Sequence, residues 1–159
     1  MKGSKKVVDT LNRLLTDELS AADQYFIHSR MYENWGLHAL YHRIEHEREE
    51  ELEHASRLIR RILFLEGTPD IASRAKLKIG STVPEVLKNS LASETAARTE
   101  LVTAIAKMEA ASDFVSRDLL EDFLEETEER IDFYETQIEL ITKVGLPNYL
   151  QSAVGELSE

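Results

Sequence analysis

Residues 40–65 carry a helical stripe that is apolar at both ends and charged in the middle. At the spacing of one helix face, the stripe consists of Leu40, Ile44, Glu47, Glu51, His54, Leu58, Ile62 and Leu65. A buried carboxylate is costly because loss of water disfavours its charged form. Glu51 and His54 are three residues apart and therefore project to the same side of the helix. Two carboxylates and an imidazole on a buried face predict a positive charge among them, and a metal ion is the obvious candidate.

Two other helical segments each place one acid inside an apolar stripe. The first segment, Lys6–Trp35, carries Glu18 between leucine and alanine residues, and the third segment carries Glu94. Taken singly, each acid could be a salt-bridged core residue. Taken together with Glu51 and His54, the acids indicate one shared metal site, because carboxylate and imidazole ligands suit iron, manganese or zinc.

The apolar periodicity predicts an all-α chain, arranged as a four-helix bundle with one long crossover and a short fifth helix. The predicted helices are Lys6–Trp35, Leu37–Glu66, a third from Thr82 to the polar break at 111–113, a fourth over about Phe114–Val144, and a fifth after Gly145. Thr82 and Glu85 predict a capping box. The connector at 67–83 is too long for a tight hairpin. Its apolar residues predict packing along the bundle: Ile71, Ala72, Leu77 and Ile79. We expect one domain over residues 1–159.

Composition excludes several classes of function. The chain has no cysteine, which rules out disulfides, cysteine-ligated clusters and a thiol nucleophile, and fits a reducing compartment. A net charge of −11 argues against nucleic acid, whose phosphates need clustered basic residues. This charge either attracts cations or simply aids solubility. No run approaches the roughly 18 apolar residues of a membrane span, and the N-terminal residues lack the apolar core of a signal peptide. We therefore expect a cytoplasmic protein without nucleic-acid or membrane partners.

The fourth helix does not complete the expected ligand set. Di-iron four-helix bundles carry one Glu on each of two helices and Glu-x-x-His on the other two. Here the fourth helix presents Thr127 and Arg130 at those positions, and no histidine follows His54. Glu126 and Glu128 each lie about 100° from the inward face. We therefore expect neither of them to replace the missing carboxylate in this register.

Arg130 also offers a way to neutralise the acids without metal. Its guanidinium carries a fixed positive charge where a second cation would bind. We expect it to pair with Glu94 or Glu51. On this interpretation at most one metal ion binds, at Glu18, Glu51 and His54.

Over essentially its whole length the chain resembles the bacterioferritins. The segments that carry the resemblance are LNRLLTDEL at 11–19, DQYFIHSRMYENWGL at 23–37, RRILFLEG at 60–67, DFVSRDLL at 113–120 and GLPNYLQS at 145–152. The resemblance implies a ferritin-like fold and self-assembly into a hollow cage of twenty-four subunits. It further implies that the cage oxidises Fe(II) and stores it as a ferric mineral.

The resemblance also assigns roles to individual residues. Those matching ferroxidase ligands are Glu18, Glu51, His54 and Glu94, whereas Thr127 and Arg130 depart from the family's ligands. Tyr25 matches a tyrosine beside the site. His46 and Glu50 resemble an inner-surface iron-binding pair, although a solvated His–Glu pair would show the same spacing. Residues matching family pores are Asn34, Glu66, Asp132, Thr136, Glu109 and Asp118, which would otherwise be read as a solvated face. Leu52 stands where the family has a haem-ligating methionine and has no lone pair to donate, so we expect no haem b.

Three functional hypotheses follow. The first is an iron-storage cage subunit with an incomplete di-iron ferroxidase centre, whose ferroxidase activity is lost or much reduced. Such a subunit could share a mixed cage with a second, catalytic bacterioferritin chain, and a ferredoxin-type protein could supply the electrons for iron release. The second hypothesis is an active ferroxidase with a different ligand set, for example with Glu126 swung inward. The third is a structural shell subunit without bound metal.

Overall fold

The computed structural model describes residues 1–156 and contains only helices and connecting segments within them. Its helices are α1 Lys5–Asn34, α2 His38–Phe64, α3 Val83–Ala110, α4 Phe114–Val144 and α5 Leu146–Ala153. α1 packs mainly against α2, and α3 packs mainly against α4. The predicted four-helix bundle with one long crossover and a short fifth helix is confirmed. The last three residues of the expected 1–159 domain lie outside the described residues.

The α1–α2 turn shows why the predicted helix ends were displaced by one or two residues. Trp35 caps α1 rather than belonging to it. Gly36 follows with φ of 77°, a left-handed conformation that favours glycine. The amide of Leu37 then donates to the carbonyl of Tyr32 at 2.9 Å, which reverses the chain into α2. Cap residues continue the apolar sequence pattern of the helix but do not adopt helical backbone geometry, so the pattern alone predicts a helix that is slightly too long.

Residues 65–82 form the crossover from α2 to α3, and polar side chains of α1 hold it in place. The amide of Ala75 donates to Ser20 Oγ at 2.7 Å, and the amide of Lys78 donates to Gln24 Oε1 at 3.0 Å. These bonds satisfy backbone groups that neither a helix nor a sheet would satisfy here.

The expected apolar packing of the crossover is only half correct. Leu77 and Ile79 are half-buried, as expected, but Ile71 and Ala72 are exposed. The prediction was wrong for the latter two because hydrogen bonds, rather than apolar contacts, anchor their part of the crossover. The amide of Asp70, for example, donates to Asn12 Oδ1 at 2.8 Å.

The start of α3 follows the predicted capping chemistry with one change. Thr82 Oγ1 accepts a hydrogen bond from the amide of Glu85 at 3.3 Å. The Glu85 carboxylate accepts from the amide of Ser81 at 2.8 Å, one residue before the position that a capping box would use. Both bonds satisfy amides near the helix N-terminus.

A polar layer divides the apolar core into two clusters. One cluster lies towards the start of α1 and includes Leu11 and Phe123, and the other lies towards its end and includes Tyr32 and Leu87. Each cluster packs side chains from several helices, and this packing fixes the position of the polar layer along the axis of the bundle. Within the described residues, no helix is both long enough and apolar enough to span a membrane.

Candidate metal centre

The polar layer collects side chains from all four long helices. Its buried members are Glu18 of α1, Glu47, Glu51 and His54 of α2, Glu94 of α3, and Thr127 and Arg130 of α4. Each side chain points inward because it occupies a core-facing position of its own helix. The bundle thus brings together every residue that the sequence pattern assigned to this height.

Three of these side chains are close enough to share one metal ion. Glu18, Glu51 and His54 each offer one ligand atom, and the three atoms lie within 4.8 Å of one another. His54 Nδ1 lies 3.3 Å from Glu18 Oε2. Carboxylate oxygens with an imidazole nitrogen form a donor set that suits iron, manganese or zinc.

Arg130 occupies the other side of the layer. Its guanidinium donates from Nε to Glu47, from Nη1 to Glu51, and from Nη2 to Glu50 at 3.0 Å. The Glu94 carboxylate lies farther away, at 3.7 Å from Nη1. Of the two partners expected from the sequence, Glu51 is therefore hydrogen-bonded and Glu94 is a neighbouring charge. The permanent positive charge of Arg130 therefore lies among the carboxylates of Glu47, Glu50 and Glu51.

Glu94 is held by Tyr25 rather than by the guanidinium. The buried Tyr25 hydroxyl donates to Glu94 Oε1. Burial, and then the charge of Glu94, raises the pKa of Tyr25 well above its ordinary value. The hydroxyl therefore stays protonated and acts as a donor at neutral pH. This contact places Tyr25 beside the centre, where the sequence resemblance had put it.

Glu126 reaches the centre from outside the inward face of α4. Its carboxylate is hydrogen-bonded to His54 Nε2 and lies 3.9 Å from Arg130 Nη2. Its backbone position lies off the inward face, as expected, but the long side chain spans the offset and reaches His54. That it does not replace the missing carboxylate ligand stays a prediction. Glu128 does remain outside and pairs with Arg98 at 2.8 Å.

The imidazole of His54 is also fixed by an aromatic contact. The ring stacks on Phe123, with ring centroids 4.0 Å apart and ring planes inclined at 18°. Phe123 belongs to the apolar cluster that lies towards the start of α1. The histidine is thus held by packing on one face and by hydrogen-bonding groups at both nitrogens.

Burial dominates the acid–base properties of the layer. It raises the pKa of Glu18 to about 7 and the pKa of Glu94 to about 8. Burial and the charge of Glu18 raise the pKa of Glu51 well above its ordinary value. Burial also acts on Glu47, but two neighbouring arginines outweigh it and lower the pKa of that carboxyl. The layer therefore holds more carboxyl groups than its arginine can neutralise, and the excess retains protons near neutral pH unless a cation binds.

A cavity of about 310 Å³ lies beside the layer, between α1, α3 and the crossover. Its wall includes Glu18, Glu51 and Glu94 and also the half-buried Asp17 and Glu100. Burial, and then the charge of Glu100, raises the pKa of Asp17. The wall holds five carboxyl groups against two lysines, Lys76 and Lys78, so the cavity suits a cation better than an anion.

The expected inner-surface pair is connected to the buried centre. His46 Nε2 lies 2.8 Å from Glu50 Oε1 on the same face of α2. The other oxygen of Glu50 accepts the hydrogen bond from Arg130. One carboxylate therefore joins an exposed imidazole to the buried guanidinium.

The remaining residues that the sequence singled out lie on the surface. The exposed pore candidates are Asn34, Glu66, Glu109, Asp118, Asp132 and Thr136. Arg117 brings two of them together, because it pairs with Glu109 at 2.7 Å and with Asp118 at 3.1 Å. Leu52 is 43% exposed on α2.

Sequence analysis placed Glu47 on the buried stripe and named Glu126 as an alternative ligand, but it assigned neither residue the contacts that it makes in the centre. Glu47 was part of the buried stripe, and its position one turn before Glu51 was the signal that it could share a partner with that residue. Glu126 gave no such signal, since helical spacing places it off the inward face. Only the reach of its side chain brings it to His54.

Comparison with known proteins agrees with this arrangement of helices. The chain matches the ferritin-like domain over residues 8–144. It is 52% identical over 161 aligned positions to a bacterial ferritin of Paramagnetospirillum magnetotacticum, covering 100% of this chain and 98% of that one. It is 52% identical over 155 positions to a bacterial ferritin of Pseudomonas aeruginosa, covering 97% and 100%. It is 39% identical over 151 positions to a bacterioferritin of Brucella melitensis, covering 95% and 94%.

Proposed function

The chain belongs to the ferritin family as a bacterioferritin-like member, and we propose that it is an iron-storage cage subunit whose ferroxidase centre is incomplete. The single observation that carries the second part is the position of Arg130. Its guanidinium donates to Glu47 and Glu51 at the place where a second cation would bind. An arginine stays protonated at any physiological pH, so the ion cannot displace it by competing for a proton.

The other half of the centre retains a set of ligands for one Fe(II) ion. Glu18, Glu51 and His54 offer two carboxylates and an imidazole within 4.8 Å of one another. Glu51 is shared between this set and Arg130, so the guanidinium also draws charge away from the remaining metal position. We therefore expect one Fe(II) per subunit at most, and the paired oxidation of two Fe(II) ions to be lost or greatly slowed.

The proposed assembly, pores and partners of the subunit follow from its membership of the family. We propose a cage of twenty-four subunits, each a single domain, in which the exposed acids at Glu66, Glu109, Asp118 and Asp132 line pores and the His46–Glu50 pair meets iron at the inner surface. A second bacterioferritin chain with a complete centre would oxidise iron for a mixed cage. A ferredoxin-type reductant would release the iron, and the cytoplasm is the compartment that fits a chain without cysteine. Haem b would not be ligated at Leu52, because leucine offers no donor atom.

Stopped-flow absorbance of Fe(II) oxidation by the pure homopolymer tests the central proposal. We expect no fast phase that consumes two Fe(II) per subunit. Thr127→Glu combined with Arg130→His supplies the missing carboxylate and imidazole and removes the competing charge, so it should produce that phase.

A matched control makes the same chemical changes away from the centre. Thr99→Glu combined with Arg98→His alters one exposed Thr and one exposed Arg of α3. This control should oxidise Fe(II) at the rate of the unmodified protein. A fast phase of two Fe(II) per subunit in the unmodified protein would overturn the proposal.

A second candidate function is favoured by Glu126, whose carboxylate lies against His54. If Arg130 moves aside when iron arrives, Glu126 could act as a replacement ligand and the centre would be an active ferroxidase. An anomalous difference map from an iron-soaked crystal distinguishes the two candidates. Two peaks between the helices favour the active enzyme, and a single peak at the three-ligand set favours the incomplete centre.

The alternative of a metal-free shell subunit is tested on material from the source organism. Native mass spectrometry would show whether the cage contains a second bacterioferritin-like chain and how much metal each subunit holds. A mixed cage supports the proposal that a second chain oxidises the iron while this chain contributes to its storage. A homomeric cage loaded with mineral would instead indicate autonomous storage, and subunits without metal would leave only the structural role.

A further inference from the structure

We propose that His38 and His42 form a second metal site, on the exposed surface of α2, for a divalent first-row transition-metal ion. The inference goes beyond the proposed function, because neither residue belongs to the buried centre. The two histidines are four residues apart in α2, and both side chains are exposed. Two histidines at this spacing on one helix are a recurring pair of zinc ligands.

Helix geometry places the two imidazoles side by side. Residues four apart are separated by about 40° around the helix and by about 6 Å along its axis. Side chains at this spacing are neighbours on the helix surface. A divalent ion bound by two imidazole nitrogens, each about 2.0–2.1 Å away for zinc, fits between rings carried at this separation.

The His42 ring is held by an aromatic contact before any ion binds. It stacks on the Tyr41 ring, with ring centroids 5.1 Å apart and ring planes inclined at 24°. The Tyr41 hydroxyl in turn accepts a hydrogen bond from Arg30 at 3.1 Å, which fixes the tyrosine. A ring whose motion is already restricted loses less conformational freedom on binding, so this contact favours ligation by His42.

Both rings are also available to an ion. His46, the next histidine at the same spacing, pairs with Glu50 at 2.8 Å. Within residues 1–156, by contrast, the rings of His38 and His42 have no hydrogen-bond or ion-pair partner. Imidazole nitrogens suit zinc, copper, iron and nickel. If the His46–Glu50 pair meets iron at the inner surface, the His38–His42 pair extends that row of ligands towards the start of α2.

The charges near the pair oppose each other. His38 is the first residue of α2, and the partial positive charge of a helix N-terminus disfavours a cation there. Gly155 packs closely against the backbone of Ala39, and the exposed acid Glu156 follows it, which brings one negative charge to the same end of α2. Because the helix charge opposes binding, a single imidazole should not suffice, and we expect the site to need both histidines.

Pulsed EPR of Cu(II) added to the metal-free homopolymer, at up to two ions per subunit, tests the pair. Electron spin-echo envelope modulation detects the remote nitrogen of each imidazole bound to Cu(II), so it counts the histidine ligands. The unmodified protein should show a component with two imidazoles. His38→Gln and His42→Gln should each remove that component, whereas the matched control His46→Gln, at an exposed histidine of the same helix, should retain it.

The affinity of the two-imidazole component gives the magnitude. It should fall at least about tenfold in His38→Gln and in His42→Gln, because loss of a ligand costs no less than loss of an outer partner, about 10–100-fold. The proposal is overturned if the unmodified protein shows no such component, if the component survives in His38→Gln, or if His46→Gln removes it.

A zinc-soaked crystal locates the ion independently. An anomalous difference map at the zinc edge should show a peak bonded to both His38 and His42. Zinc peaks elsewhere, with none at this pair, would contradict the proposal. Neither readout depends on Arg130 or on how many Fe(II) ions are oxidised, so a failure of this site and a failure of the proposed function are distinguishable.

Discussion

Replacing Arg130 by methionine removes the only buried positive charge of the polar layer and keeps most of the side-chain volume. In the folded protein this guanidinium donates to Glu47, Glu50 and Glu51, of which Glu47 and Glu51 are buried. Arg43 still pairs with Glu47 at 2.7 Å, but Glu51 loses its only arginine partner. The substitution therefore leaves at least one carboxyl group buried without a compensating cation.

Breaking a buried ion pair by removing one partner costs about 3–5 kcal/mol. For a chain of this size the loss corresponds to a fall in Tm of roughly 6–20 °C. The sign of the pH dependence follows from Glu47, whose pKa is lowered by the arginines against the opposing effect of burial. A depressed folded-state pKa stabilises the protein above the unfolded pKa, and that stability is lost in acid. Without Arg130, burial raises the pKa of Glu47, so the variant loses most stability at neutral and alkaline pH and regains part of it as the carboxyl groups take up protons.

Differential scanning fluorimetry at pH 5.5, 7 and 8.5 measures this difference. Arg98→Met is the matched control, because Arg98 pairs with Glu128 at the surface and exposed pairs contribute about 0–1 kcal/mol. Zn²⁺ should raise the Tm of Arg130→Met more than that of the unmodified protein, since the vacated position can then hold a cation. An unchanged Tm at pH 7, or a loss that grows towards pH 5.5, would refute the charge argument.

Three further predictions concern single groups. Co(II) binding at the three-ligand set should strengthen as the pH rises through about 7, because the ion must displace the proton that burial retains on Glu18; a titration that is flat from pH 6 to 8.5 would contradict this. Tyr25→Phe removes the donor to Glu94, whose pKa is about 8, so the fall in Tm should be larger at pH 9, where that carboxylate is charged, than at pH 6. Thr82→Ala removes the N-cap of α3 and should lower the free energy of unfolding in urea by about 1 kcal/mol, whereas Thr103→Ala, an exposed position within α3, should leave it nearly unchanged.

The four long helices were predictable because each has a long apolar stripe that ends at a clear break in the pattern. Gly36 and the crossover marked breaks that no helix could continue through. The packing of the crossover was less predictable, because Ile71 has an apolar side chain of the kind usually buried but lies at the surface. Hydrophobicity indicates that a side chain can be buried. It does not show whether hydrogen bonds elsewhere already fix the backbone.

The centre was predictable where helical spacing alone determines the direction of a side chain. Glu18, Glu51, His54 and Glu94 lie on core-facing stripes, and the structure buries all four. The contacts among them depended on side-chain length and rotamers, which spacing does not describe. The same limit explains Glu126, whose backbone position points away from the layer while its carboxylate reaches His54.

The two unusual residues of α4 can be understood together through charge. In a four-helix di-iron site their positions carry a glutamate and a neutral histidine. This chain has Thr127 and Arg130 there, which removes one negative charge and adds one positive charge. The combined change equals the charge of one divalent cation. On the proposed function, this charge replaces what a second ion would contribute to the buried carboxylates. Either substitution alone would leave the layer less well balanced. We therefore expect Thr127→Glu with Arg130→His to be tolerated better in the presence of Zn²⁺ than in its absence.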